Sequence, residues 1–109
     1  MSAFMPLHFF VRLEPLPGKA ADFRDALLQV VEPTRAETGC LSIHVFESLR
    51  EPPVFSIHSV WADEAAFELH ARLPHTVRFL EAAEKLLPHP VQGLRSREIA
   101  GGPGAGRAG

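Results

Sequence analysis

The stretch from Trp61 to His75 carries the residues best suited to chemistry: an indole, then His70, then His75 five positions later. Imidazole changes protonation state near neutral pH, so either histidine can take a proton from a bound molecule, and a tryptophan offers a flat apolar surface for an aromatic one. The same residues have a plainer reading. An inward histidine can simply satisfy a backbone carbonyl, a tryptophan at a strand end can be core, and His75 can be a surface residue that helps to start a helix. Three further histidines, His8, His44 and His58, lie in segments that read as strands. If the hairpin register centres on Glu51, His44 faces His58, with His8 on the neighbouring strand, and a three-histidine metal site is conceivable. The carboxylate that usually completes or orients such a site is missing nearby, so no metal is assigned. Arg12 and Arg95, on strands expected to flank one another, can hold an anion or pair with a carboxylate such as Glu47 or Glu98; pairing is the expectation. Cys40 is a lone cysteine, which excludes an internal disulfide and a multi-thiolate zinc site and reads as a small buried hydrophobe.

The elements that must position these groups follow from periodicity. Asp63 stands where a helix N-cap belongs, its carboxylate able to accept amides of the first turn. Ala66, His70 and Leu73 then share a helical stripe, with Phe67 beside His70 and with Glu64, Glu68 and Arg72 opposite. His70 therefore points inward. Upstream, Leu7 to Leu13 alternates as a first strand, with Leu7, Phe9, Val11 and Leu13 against His8, Phe10 and Arg12. Past the Pro15 to Gly18 break, Ala20, Phe23, Leu27, Val30 and Thr34 form the stripe of a helix of about five turns. Pro33 predicts a kink or break there, with a last turn stopping at Gly39. Cys40 to Glu47 and Val54 to Trp61 alternate as hairpin partners, the second placing Phe55, Ile57, Ser59 and Trp61 on one face. Pro74 opens another helix with Phe79, Leu80, Ala83, Leu86 and Leu87 inward, stopped by Pro88 and Pro90; Val91 to Ile99 is the last strand.

The order β-α-β-β-α-β predicts an α+β, ferredoxin-like fold, a four-stranded antiparallel sheet with helices on one face, in a single domain over residues 1–99. Residues 100–109, rich in Gly and Ala, are expected to be a flexible tail. Phe10, Phe46, Val54 and Val60 make the other sheet face apolar as well, although a solvent-facing sheet would be polar there. A second copy of the chain is the least costly cover, which predicts a homodimer, a dimeric α+β barrel.

The chain of 109 residues is 46% hydrophobic and 22% charged, with a formal charge of −2 and no basic run, which excludes a nucleic-acid surface. Its apolar stretches are broken well before the ~18 residues of a membrane span, and its start lacks the pattern of a secretory leader; a cytoplasmic protein without a membrane partner is expected.

Pro17-Gly18-Lys19 before an amphipathic helix, Thr38 to Ser42 opening the second strand, Val60-Trp61, Ala66-Phe67, His70 and Pro74-His75 together resemble the antibiotic biosynthesis monooxygenase domain family, over roughly residues 7–99. The resemblance implies a dimeric α+β barrel and a cofactor-independent monooxygenase acting on an aromatic quinol-like or polyketide-like small molecule with O₂. In such enzymes the substrate lies between helices and sheet, and its deprotonated, electron-rich form itself reduces oxygen, so no flavin or metal is required. His70 then becomes the base and Trp61 the stacking surface, with Phe67, Phe23, Ser59 and Ile57 lining the pocket. His75 is a second catalytic candidate, since the positive end of a helix dipole disfavours an imidazolium. Two departures narrow the match. There is no tyrosine to anchor an intermediate, and the positions of the haem-degrading branch's asparagine and iron-ligating histidine hold Val11 and Leu80, which argues against haem cleavage. A non-catalytic binder of a small hydrophobic metabolite and a cofactor-free isomerase or decarboxylase are the alternatives for the same pocket.

Overall fold

In the computed structural model, which describes residues 5–106, alternation becomes strands and 3.6-residue periodicity becomes helices in the order β1 (Leu7–Leu13), α1 (Ala20–Arg35), β2 (Cys40–Glu47), β3 (Phe55–Trp61), α2 (Glu64–His70), α3 (Pro74–Leu86) and β4 (Gly93–Ser96). The four strands form one antiparallel sheet in the order β2-β3-β1-β4. The fold is the expected ferredoxin-like α+β arrangement, with its second helical unit split in two: Asp63 caps α2 by accepting from the Ala66 amide at 2.8 Å, and Pro74 opens α3. The first four residues and residues 107–109, the end of the expected tail, lie outside the described part.

The helix-facing side of the sheet holds two apolar clusters. In the larger, Val11, Leu13 and Phe55 of the sheet meet Phe23, Leu27 and Val30 of α1 and Phe79 and Ala83 of α3. In the smaller, Leu7 and Trp61 meet Phe67 of α2. Phe9, Arg95 and Ser59 point to this side, whereas His8, Phe10, His58, His44 and Leu94 occupy positions that alternate to the other.

Four local expectations are corrected. The first helix does not break at Pro33 but runs through it to Arg35, with Ala36 as its C-cap. Proline removes the bond to the Gln29 carbonyl, and Gln29 is exposed, so water can take that acceptor. The second strand does not alternate cleanly: a bulge between Cys40 and Ser42 turns Leu41 outward, where it is 50% exposed. The last strand is four residues long instead of spanning Val91 to Ile99: only Gly93–Ser96 pair with β1, opposite Val11 to His8. Leu80 of α3 is likewise exposed, the buried stripe being Thr76, Phe79 and Ala83.

Candidate functional site

Cys40 pairs with Trp61 where β2 begins and β3 ends, so the turn before β2 lies beside the start of α2. The turn is pinned there by a hydrogen bond from the Ala62 amide to the Gly39 carbonyl (2.9 Å). Gly39 is required for this approach, since a Cβ at that position would collide with the Cβ of Ala66. The consequence is that Glu37, two residues earlier, reaches the histidines of α2 and α3. One of its carboxylate oxygens, Oε2, lies 2.8 Å from His70 Nδ1 and 2.7 Å from His75 Nε2. The three side chains are mostly buried, at 11% exposure for Glu37 and 16% for each histidine.

A carboxylate oxygen accepts and cannot donate, so both imidazoles present N–H to it. That choice leaves His70 Nε2 and His75 Nδ1 as the nitrogens with lone pairs when the rings are neutral, and neither has a hydrogen-bond partner among the described residues. The Thr76 hydroxyl lies 3.3 Å from His70 Nδ1. Trp61 packs on the His70 ring at 4.4 Å between centroids and on Phe67 edge-on at 5.9 Å. The indole is fully buried, and its N–H donates to the Ser59 hydroxyl at 3.0 Å, which satisfies both polar groups without water.

His70, His75, Trp61, Phe67 and Ser59 thus come together. Phe23 and Ile57 do not join them: Phe23 is fully buried in the other cluster against Phe55 and Phe79, and Ile57 packs against that cluster too. Sequence reasoning missed Glu37. The available signal was the strand pairing itself, since a register centred near Glu51 brings the residues before Cys40 next to those after Trp61. Cys40, half-buried in the same region, donates weakly to the Ser42 carbonyl; burial and, secondarily, the Glu37 charge push its thiol pKa up, which disfavours the reactive thiolate.

A cleft of about 160 Å³ between α1 and α3 is lined by Val30, Pro33, His75, Arg78 and Phe79 among others.

The remaining candidates separate. The His44–His58 register is as expected, and His8 Nδ1 lies 2.8 Å from His58 Nε2, one ring donating and the other accepting. Among the described residues, however, the three-ligand cluster of His, Cys, Asp and Glu atoms within 4.8 Å of one another is Glu37, His70 and His75, not the strand histidines. Arg12 pairs with Glu14, not Glu47. Arg95 points to the helix side, pairs with Glu64 (2.8 Å) and Glu68 (2.9 Å), and lies 4.8 Å from the Phe67 ring centre, while Glu47 is held by Arg24.

Residues 6–82 match the profile of the antibiotic biosynthesis monooxygenase family. The chain belongs to this family. Among its relatives, the Synechocystis protein sll1783 is 32% identical over 76 residues, 70% of this chain and 52% of that protein, so the match spans about half of that relative's length. YcnE of Bacillus subtilis is 30% identical over 80 residues, covering 73% of this chain and 84% of its own, and bears a provisional monooxygenase name. Among solved structures, PA3566 from Pseudomonas aeruginosa superposes with a TM-score of 0.83 at 29% identity, over 92% of this chain and 100% of that one. The matched residues run from β1 into α3, and Glu37, His70 and His75 lie within them, where the α1–β2 turn meets α2 and α3. No helix of the described residues is long and apolar enough to cross a membrane.

Proposed function

We propose that this antibiotic biosynthesis monooxygenase family member is a homodimeric, cofactor-independent monooxygenase acting on an aromatic quinol-like or polyketide-like small molecule. The observation that carries the reading is the pairing of His70 with Glu37 beside Trp61: a carboxylate fixes one ring nitrogen as N–H and so leaves the other as a proton acceptor. His70 takes a proton from the phenol or from the carbon acid, and the resulting anion reduces O₂. One oxygen atom stays on the ring carbon and the other leaves as water, so a tricyclic anthrone becomes the corresponding quinone with no other reductant. His75 assists from the cleft between α1 and α3, which is smaller than the ~300 Å³ of a typical ligand pocket, so entry of a flat substrate requires those helices to part.

The test is oxygen uptake by the pure protein with reduced menadione and with an anthrone. Uptake above the uncatalysed rate is expected, falling ~10²–10⁴-fold in His70→Ala, the range for loss of a general base. Absence of uptake with both substrates removes the oxygenase reading. Deprotonation of the same compounds without oxygen consumption, followed by exchange of their acidic protons with deuterium, instead supports an isomerase or decarboxylase using the same base.

A further inference from the structure

We infer that Glu37, His70 and His75 form a binding site for a divalent first-row transition metal, with Zn²⁺ as the reference ion. Two imidazoles and one carboxylate are the donor set such ions take, in tetrahedral sites and in three-ligand sites that leave positions open. The ligand atoms are already gathered: Glu37 Oε2 is 2.8 Å from His70 Nδ1 and 2.7 Å from His75 Nε2, and all three lie within 4.8 Å of one another. With metal–ligand bonds of ~2.0–2.1 Å, neighbouring donors stand ~2.8–3.0 Å apart at octahedral angles and ~3.3–3.4 Å apart at tetrahedral ones, so the two Glu37–histidine spacings are at or a little below the required range, and the histidine nitrogens, within 4.8 Å of each other, have to close to it.

Charge argues in the same direction. Glu37 is nearly buried, and its side-chain partners among the described residues are two imidazoles, with no lysine or arginine in contact. A buried carboxylate needs a positive partner, and an ion bound by two neutral histidines and this carboxylate supplies it. Each ligand is also placed by a contact of its own element. Glu37 is held by the turn that Gly39 packs against Ala66, His70 by Trp61, and His75 by the first turn of α3.

Binding uses the nitrogens that now face the carboxylate, so the ring protons must move to His70 Nε2 and His75 Nδ1. Those are the atoms with lone pairs in the metal-free site. The metal-bound form therefore has no free imidazole base, and, under the oxygenase reading, metal occupancy switches turnover off. Metal binding itself does not depend on that reading, and it is measured separately.

The experiment titrates chelator-treated full-length protein with Zn²⁺ by calorimetry and reads nitrogen coordination by histidine ¹H–¹⁵N long-range NMR. One ion per chain is expected, with the nitrogen shifts of His70 Nδ1 and His75 Nε2 moving together. Glu37→Gln and His75→Ala should each weaken binding beyond the ~10–100-fold that loss of an outer-shell partner costs, while His8→Ala leaves it unchanged. The NMR readout needs only the wild-type chain, so a variant that fails to fold does not blur the result. Absence of stoichiometric binding, or binding that leaves the His70 and His75 resonances in place, overturns the site. Loss of oxygen uptake on zinc addition, restored by chelation, would extend it to regulation; no uptake with or without zinc bears on the oxygenase reading alone.

Discussion

His58 shows how much a single imidazole depends on its neighbours. It stacks on Phe10 nearly face to face, 4.4 Å between centroids, and takes part in the short contact with His8. Burial lowers its pKa from the ordinary 6.5, and the nearby charges of His8 and His44 push the same way. The folded chain thus binds a proton at His58 less readily than the unfolded chain does. Its contribution to stability is full above about pH 6.5 and drains away as the pH falls from there through the lower folded-state value. The melting temperature followed from pH 7.5 to 5.5 should therefore drop more steeply in the wild type than in His58→Phe, which keeps the stack on Phe10 without the titrating ring. Equal slopes in the two proteins would mean that this ring is protonated as easily in the folded chain as in the unfolded one.

The end of α1 combines a tolerated proline with an unsatisfied hydroxyl. Thr34 is fully buried, and its Oγ1 has no hydrogen-bond partner among the described residues. Its backbone carbonyl does bond, to the Glu37 amide at 3.1 Å, and so helps to set the turn that carries Glu37. Thr34→Val keeps the β-branch and the backbone bond while removing the unpaired hydroxyl, and should stabilise the protein by about 1 kcal/mol, raising the melting temperature by ~4–8 °C. A lower melting temperature would show that the hydroxyl is satisfied after all. Elements of this kind mark the limit of what the sequence discloses. β1 and β3 were legible because alternation persists along their whole length, and α2 was legible from Asp63 and the spacing of Ala66 and His70, although Leu73, expected on the same stripe, lies beyond its end as the extended residue before α3. The Leu41 bulge, the passage of α1 through Pro33 and the short β4 were not, since each depends on what lies across the sheet or in solvent and not on the local pattern. Glu37 was hidden for the same reason: a lone acid in a turn has no periodicity, and only the β2–β3 pairing brings it to the histidines.

The whole molecule leaves its second sheet face apolar. Phe10, Leu94 and His58 form one lateral row across β4, β1 and β3, and Phe46 stands in the next row on β2. Phe10 is 46% exposed, Phe46 58% and Leu94 72%, around a shallow depression of about 490 Å³. Apolar surface gains roughly 25 cal/mol for each Å² removed from water, so a row of half-exposed aromatic and aliphatic side chains favours association. A sheet face presented by every chain is self-complementary under a two-fold axis, and closure in that way stops at two copies. The proposed homodimer should therefore sediment at twice the chain mass at micromolar concentration. Phe10→Asp combined with Phe46→Asp places charges in the centre of that face and leaves the helix-side core, Val11, Leu13, Phe23 and Phe55, untouched; it should yield a folded monomer with unchanged far-ultraviolet circular dichroism. Because Glu37, His70 and His75 lie at the other side of the sheet, that monomer should still take up zinc. A wild-type chain that sediments as a monomer, or a dimer that the paired charges leave intact, would assign this apolar face to something other than a second copy.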